Sequence, residues 1–123
     1  MTINADGGSC VRADIAAGVS PAAALFHSLG DETRLRIVAR LALGEARVVD
    51  LTAELGLAQS TVSKHLACLR DCGLVGYRAQ GRQSFYSLTR PELTGLLVAA
   101  EHLLAATGHA VALCPAGAGE AVR

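Results

Sequence analysis

The chain contains no tryptophan, and its two tyrosines and two phenylalanines make up only 3% of 123 residues. A core built on aromatic rings is excluded. Because hydrophobic residues still reach 51%, Leu, Val, Ile and Ala must supply the buried surface, which favours packed helices. No stretch approaches the roughly 18 apolar residues of a membrane span, and the opening MTINADGGSC lacks the basic start and apolar run of a targeting segment. A cytoplasmic address with no membrane partner is expected. Thiols stay mostly reduced there, so the four cysteines read as free, ligating or redox-sensing groups and not as a disulfide framework. No Cys-x-x-Cys pair or Cys-His-acid triad is present either, which places a thiol enzyme or metal carrier far behind other readings.

At this length the chain is one domain that gains from a partner to bury more surface, so oligomerisation is expected. The net charge is zero, yet residues 59–90 hold Lys64, Arg70, Arg78, Arg82 and Arg90 against the single acid Asp71. This +4 window, balanced by −4 elsewhere, fits a nucleic-acid footprint on a neutral protein.

Residues 1–19 show no clear periodicity and read as a flexible arm, as does the tail from 109 to 123. Between them the punctuation is regular. Ser20 followed by Pro21 signals a short helix to about Ser28, stopped by Gly30. Asp31 caps the next helix, with Leu35, Val38, Leu41 and Ala42 recurring at three- and four-residue steps until Gly44. Asp50 caps a short helix, Leu51 to Leu55, closed by Gly56, and a longer helix follows from about Gln59 to Asp71. Short helix, tight turn and longer helix form a helix-turn-helix, in which the second helix reads DNA. After Gly73 the period changes to two on either side of Gln80-Gly81-Arg82, predicting a hairpin. Thr89 and Glu92 form a capping box around Pro91, opening an apolar helix to about Thr107. Its Leu93, Leu96, Leu97, Ala100, Leu103 and Leu104 offer more apolar surface than one small core needs, which suggests a dimer helix. The fold class is mainly α with a small β-hairpin, a helix-turn-helix followed by a hairpin and a dimer helix over residues 20–108.

Two kinds of chemistry fall on the long helix. Gln59, Ser60, Thr61, Ser63, Lys64 and His65 lie near its start, where hydroxyls, amides and a lysine reach base edges or phosphates of the major groove. Arg78 and Arg82 belong to the hairpin and are candidate backbone or minor-groove contacts. Cys68 and Cys72, four residues apart, share one helix face with Cβ atoms roughly 5–6 Å apart, close enough to hold one metal ion. They lie on the flank of the Val62/Leu66/Leu69 stripe. Soft thiolates select cadmium, lead or arsenite; zinc is also possible but usually takes four ligands.

The segments LGDETRLRIVARLALGEARVVDLTAELGLAQSTVSKHLACLRDCGLV (29–75) and GRQSFYSL (81–88) resemble the ArsR/SmtB family of metal-responsive repressors. The resemblance implies a winged-helix homodimer on palindromic double-stranded operator DNA, released when metal binds. Arg47 and Val49 stand where the arsenic sensors carry a Cys-x-Cys pair, and the last helix lacks the spacing of the zinc sensors' Asp/His sets. What remains is similar to the cadmium- and lead-sensing CmtR type, in which two cysteines four apart join a tail cysteine from the opposite protomer. Cys68, Cys72 and Cys114 occupy those positions, and Cys10 is a candidate fourth ligand. Cd(II) or Pb(II) is the implied inducer, with Zn(II) or As(III) as alternatives. A thiol redox or persulfide sensor using the same cysteines is the main rival.

Overall fold

The computed structural model describes residues 6–113, with side chains described from Ala17 onward. Five helices and three short strands follow in order: α1 (Asp6–Leu29), α2 (Glu32–Leu41), β1 (Ala46–Arg47), α3 (Val48–Leu55), α4 (Gln59–Asp71), β2 (Val75–Gln80), β3 (Gln83–Leu88) and α5 (Glu92–Ala106).

Asp31 separates the first two helices. It is extended, and its carboxylate accepts the backbone N–H of Arg34 at 2.9 Å, satisfying an open donor at the start of α2. That bond, followed by the charges of His65 and Arg34, holds the Asp31 carboxyl below its ordinary value. On α2 the buried side chains are Ile37, Val38 and Leu41. Ile37 occupies the stripe's centre, whereas the expected Leu35 and Ala42 lie on its margins, half-buried.

Together with Leu51 of α3 and Val62, Leu66 and Leu69 of α4, these residues make the core that locks the helix-turn-helix onto α2. Each such side chain taken from water contributes about 1.5–3 kcal/mol. Gly56, in the left-handed conformation at φ 68°, closes α3, as its position in the sequence implies.

Four expectations need correction. First, α1 begins at Asp6 and carries Pro21 in its interior, so the expected arm boundary at residue 20 falls inside a helix. A proline at the start of a helix sacrifices no hydrogen bond, whereas here one carbonyl a turn earlier goes without its N–H partner. The alanines on both sides of Pro21 propagate the helix past it.

Second, Asp50 does not stand before α3 but inside its first turn, with Arg47 as the cap residue. The Asp50 carboxylate accepts the Arg47 backbone N–H at 3.0 Å and two guanidinium N–H groups at 3.0 and 2.8 Å. These bonds lower its pKa from 3.8 to about 2. An acid three residues into a helix serves the same open donors from the other side.

Third, the Thr89–Glu92 capping box does not form. The Thr89 hydroxyl donates instead to the Gly73 carbonyl at 2.7 Å, and the Thr89 N–H donates to Leu74 at 3.0 Å, so this residue ties the end of the hairpin to the end of α4. Pro91 occupies the cap position of α5.

Fourth, the hairpin has a third strand. The sheet order is β1-β3-β2, with Ala46 opposite Tyr86 and Arg47 opposite Phe85. Two residues between α2 and α3 give little periodicity to detect. The hairpin itself lies where expected: Val75 faces Leu88, Tyr77 faces Tyr86 and Ala79 faces Ser84, across a two-residue loop of Gly81 and Arg82.

On α5, Leu93 and Leu97 are buried but Leu103 is 68% exposed, and Phe26 of α1 is 59% exposed. Past Gly108 the chain turns back so that Leu113 packs against the core, its N–H donated to the Glu101 carboxylate.

Candidate DNA-reading and metal-binding helix

The two ends of α4 differ in chemistry. At the N-terminal end Gln59, Ser60, Ser63 and Lys64 are exposed, and Thr61 is half-buried beside Val62. Lys64 makes no ion pair with any described residue. His65 turns inward: its Nδ1 is buried, lacks a hydrogen-bond partner and sits 3.9 Å from the Asp31 carboxylate.

At the C-terminal end the helix stops in a Schellman arrangement. Gly73 takes φ 77°, its N–H donates to Arg70, and the N–H of Leu74 reaches back to the carbonyl of Leu69 at 3.0 Å. Leu69 and Leu74 are both buried. This stop fixes Cys72 as the capping residue and launches β2 one residue after Leu74.

The thiols lie off the apolar stripe, as the angular spacing implies. Cys68 is half-buried and Cys72 exposed. Neither sulfur points into open core. The Cys72 Sγ is 2.9 Å from the hydroxyl of Ser28, itself only 4% exposed, and the Cys68 Sγ accepts a hydrogen bond from Arg34 Nη1 at 3.3 Å. Arg34 also donates through Nε to the Ser28 carbonyl at 2.9 Å.

Two thiols on one helix face are a sound half-site for a thiophilic cation. Among the described residues no group of three or more His, Cys, Asp and Glu side chains comes together to hold a metal. A cation held by this pair would need further ligands from beyond the described residues. The side chain of Cys10 and all of Cys114 lie outside the described residues, although Cys114 directly follows Leu113.

The wing presents its arginines differently from expectation. Arg78 is bound to Glu45 at 3.1 and 2.6 Å, donates to Gln80 at 2.7 Å and stacks over the Phe85 ring at 4.7 Å. The Arg78 guanidinium holds the Glu45 carboxyl below its ordinary value. Arg82, at the hairpin tip, is exposed and makes no ion pair with a described residue.

Sequence reading overlooked Ser28, Arg34, Glu45 and Arg70. The last, near the end of α4, lies 5.0 Å over the Tyr77 ring, which stacks on Tyr86 at 5.4 Å, so the reading helix and the wing are joined by a cation–π contact. These partners are remote in sequence and carry no local signal. The basic window containing Arg70 was the nearest hint.

Helix-turn-helix, hairpin wing and exposed polar N-terminus on α4 define a winged-helix DNA-binding protein. Residues 31–77 match the family model described as bacterial regulatory protein, arsR family. A probable mercury resistance operon repressor of Streptomyces lividans is 35% identical over 98 residues, covering 80% of this chain and 78% of that one. The regulator CmtR of Mycobacterium tuberculosis is 45% identical over 78 residues, 63% of this chain and 66% of its own length. The structure of that protein, described as a cadmium metal-sensor, superposes with a TM-score of 0.55 at 44% identity over 63% of this chain and 80% of that one. Reduced HlyU from Vibrio cholerae superposes with a TM-score of 0.67 at 32% identity, covering 73% of this chain and 95% of that one. The chain belongs to the arsR family of bacterial transcriptional regulators, and it is a regulator, not an enzyme. No helix among the described residues is long and apolar enough to cross a membrane.

Proposed function

We propose that this protein is a metal-sensing transcriptional repressor that binds palindromic operator DNA as an apo homodimer and lets go when a thiophilic ion, Cd(II) or Pb(II), binds. The observation that carries the reading is the pair Cys68 and Cys72, one turn apart at the end of the helix whose other end presents Gln59, Ser60, Ser63 and Lys64 to solvent. Its support from relatives is the cadmium-sensing CmtR, similar over the winged domain.

In this reading Cys68 and Cys72 supply two thiolates and Cys114, from the same or the partner protomer, the third; Cys10 is available as a fourth. Such an ion supplies a fixed positive centre that draws thiolates together. Gln59, Ser60, Thr61, Ser63, Lys64 and Arg82 contact DNA, and Arg78 joins them once released from Glu45. The exposed Phe26 and Leu103 of α1 and α5 form the dimer surface. Metal and operator oppose one another, and linkage makes the effect reciprocal: DNA weakens metal binding by the factor that metal weakens DNA binding, typically about 1–3 kcal/mol.

An anaerobic titration of the reduced protein with cadmium, lead, mercury, zinc and arsenite tests this, following thiolate charge-transfer absorbance and operator release together. Cys68→Ser is expected to keep apo operator binding and lose release by cadmium. A Cys68→Ser protein that still dissociates on adding metal removes that thiol from the mechanism.

The exposure of Cys72 also admits a redox or persulfide sensor. Cβ atoms one helical turn apart stand roughly 5–6 Å from each other, beyond the roughly 3.5–4.5 Å of a disulfide. A Cys68–Cys72 bridge would require the end of α4 to unwind, which favours metal. Mass spectrometry of protein from oxidant-stressed and metal-stressed cells separates the two.

A further inference from the structure

The sulfur atoms of Cys68 and Cys72 are the points at which α4 is fastened to the junction between α1 and α2. Ser28 contacts Cys72 through its hydroxyl at 2.9 Å, and Arg34 contacts Cys68 at 3.3 Å while its Nε closes on the Ser28 carbonyl at 2.9 Å. One arginine and one serine thus link the last turn of α1, the first turn of α2 and the C-terminal end of the DNA-reading helix.

Arginine has donors and no acceptor, so the Cys68 sulfur must accept in this contact. A cation on that sulfur takes up the same lone pairs and sets a second positive charge beside the guanidinium. Metal and Arg34 therefore compete for one atom. Ser28 is nearly buried, which leaves its hydroxyl few alternatives to Cys72 once that sulfur is occupied.

We propose that Arg34 and Ser28 form a latch across Cys68 and Cys72 that holds α4 in its DNA-reading position, and that a thiophilic ion opens the latch by claiming the same sulfurs. This rests on the metal-sensing reading for its second half only; the first half concerns the apo protein. Arg34 and Ser28 are positioning residues, acting on DNA through α4 and on metal through the two thiols. They turn a local change of ligand into a change at the other end of a 13-residue helix.

The test uses full-length wild type, Arg34→Gln, Ser28→Ala and Ser28→Thr, with duplexes selected from random sequence by the wild-type apo protein. Cadmium affinity is measured by chelator competition without DNA, operator affinity with and without cadmium, and thiol accessibility by iodoacetamide alkylation of the reduced apo protein. Arg34→Gln is expected to bind cadmium about tenfold more tightly, as the removal of one competing charge-assisted hydrogen bond implies. Its apo operator affinity falls by a comparable factor, so the ratio between apo and cadmium-bound affinities shrinks. Ser28→Ala moves the same readouts the same way by less, and Ser28→Thr restores wild-type values.

A purely structural role for Arg34 would weaken DNA binding without tightening cadmium binding, and that result overturns the proposal. If the wild type shows no cadmium charge-transfer band, the metal reading alone fails. The latch is then judged on alkylation rate and apo operator affinity, and unchanged values in Arg34→Gln and Ser28→Ala overturn it.

Discussion

The N-terminal half of α4 and its C-terminal end are parts of one helix with opposite relations to their surroundings. Gln59, Ser60, Ser63 and Lys64 face outward with their donors open to a ligand, whereas Cys68, Arg70 and Cys72 are each engaged by a neighbour, through Arg34, Tyr77 and Ser28. Between the two runs the apolar spine of Val62, Leu66 and Leu69. A reading surface must stay free to meet DNA, while a sensing surface is useful only if it is tied to something that a ligand can untie. In the proposed latch this spine moves the helix as a body, so that a hydrogen bond broken at one end is felt at the other.

Removing the spine should abolish the distinction between the two ends. Leu66→Ala, at a site 1% exposed, is expected to destabilise the fold by about 2–5 kcal/mol, measured by urea unfolding, with DNA and metal binding failing together. If binding to DNA survives at full strength, the two ends are not coupled through the core.

A change confined to the reading end should leave the sensing end alone. Lys64→Ala is expected to weaken operator binding across sequences and to reduce the salt dependence of log K by about 0.9 for each phosphate no longer neutralised. Cadmium affinity without DNA stays at the wild-type value.

The wing adds a third region with its own behaviour, because Arg78 is a DNA-facing candidate already held by a carboxylate, Glu45. Glu45→Gln frees the guanidinium, and operator affinity is expected to rise a fewfold at low salt, with a steeper salt dependence. An unchanged affinity would show that Arg78 never reaches DNA.

The smallest effect belongs to Asp50. Its pKa in the folded protein, about 2 against an ordinary 3.8, means that the bonds from Arg47 stabilise the fold above the ordinary value. This contribution is lost as pH falls through the folded value. Asp50→Asn should therefore flatten the acid-induced loss of stability between about pH 4 and 2, and a variant as acid-sensitive as the wild type would contradict it.

Local chemistry made much of this molecule legible. Asp31 as a cap, Gly56 and Gly73 as stops, the switch from a period of 3.6 to 2 after Gly73, and the tight loop at Gly81 each depend on a few neighbouring residues. The same is true of the angular offset between the thiols and the core stripe. The failures share a different character. Thr89 had a partner available three residues on and chose the Gly73 carbonyl, and Ser20-Pro21 carried a start signal that a surrounding helix overrode.

The thiol pair shows both sides. That Cys68 and Cys72 share a face follows from helical spacing alone. That their sulfurs meet Ser28 and Arg34, 44 and 34 residues away, does not follow from any local rule.

From the order of its residues alone, the chain determines most of its helices, its hairpin, the polarity of each face and the placement of two thiols behind a row of exposed polar side chains, because these depend on spacing and on backbone preference over a turn or two. Only the tertiary structure decides which groups those side chains meet: Arg34 on Cys68, Glu45 on Arg78, Arg70 on Tyr77. Hydrogen bonds and ion pairs form between whatever the packing of the core brings within about 3 Å, and that packing is a property of the whole chain.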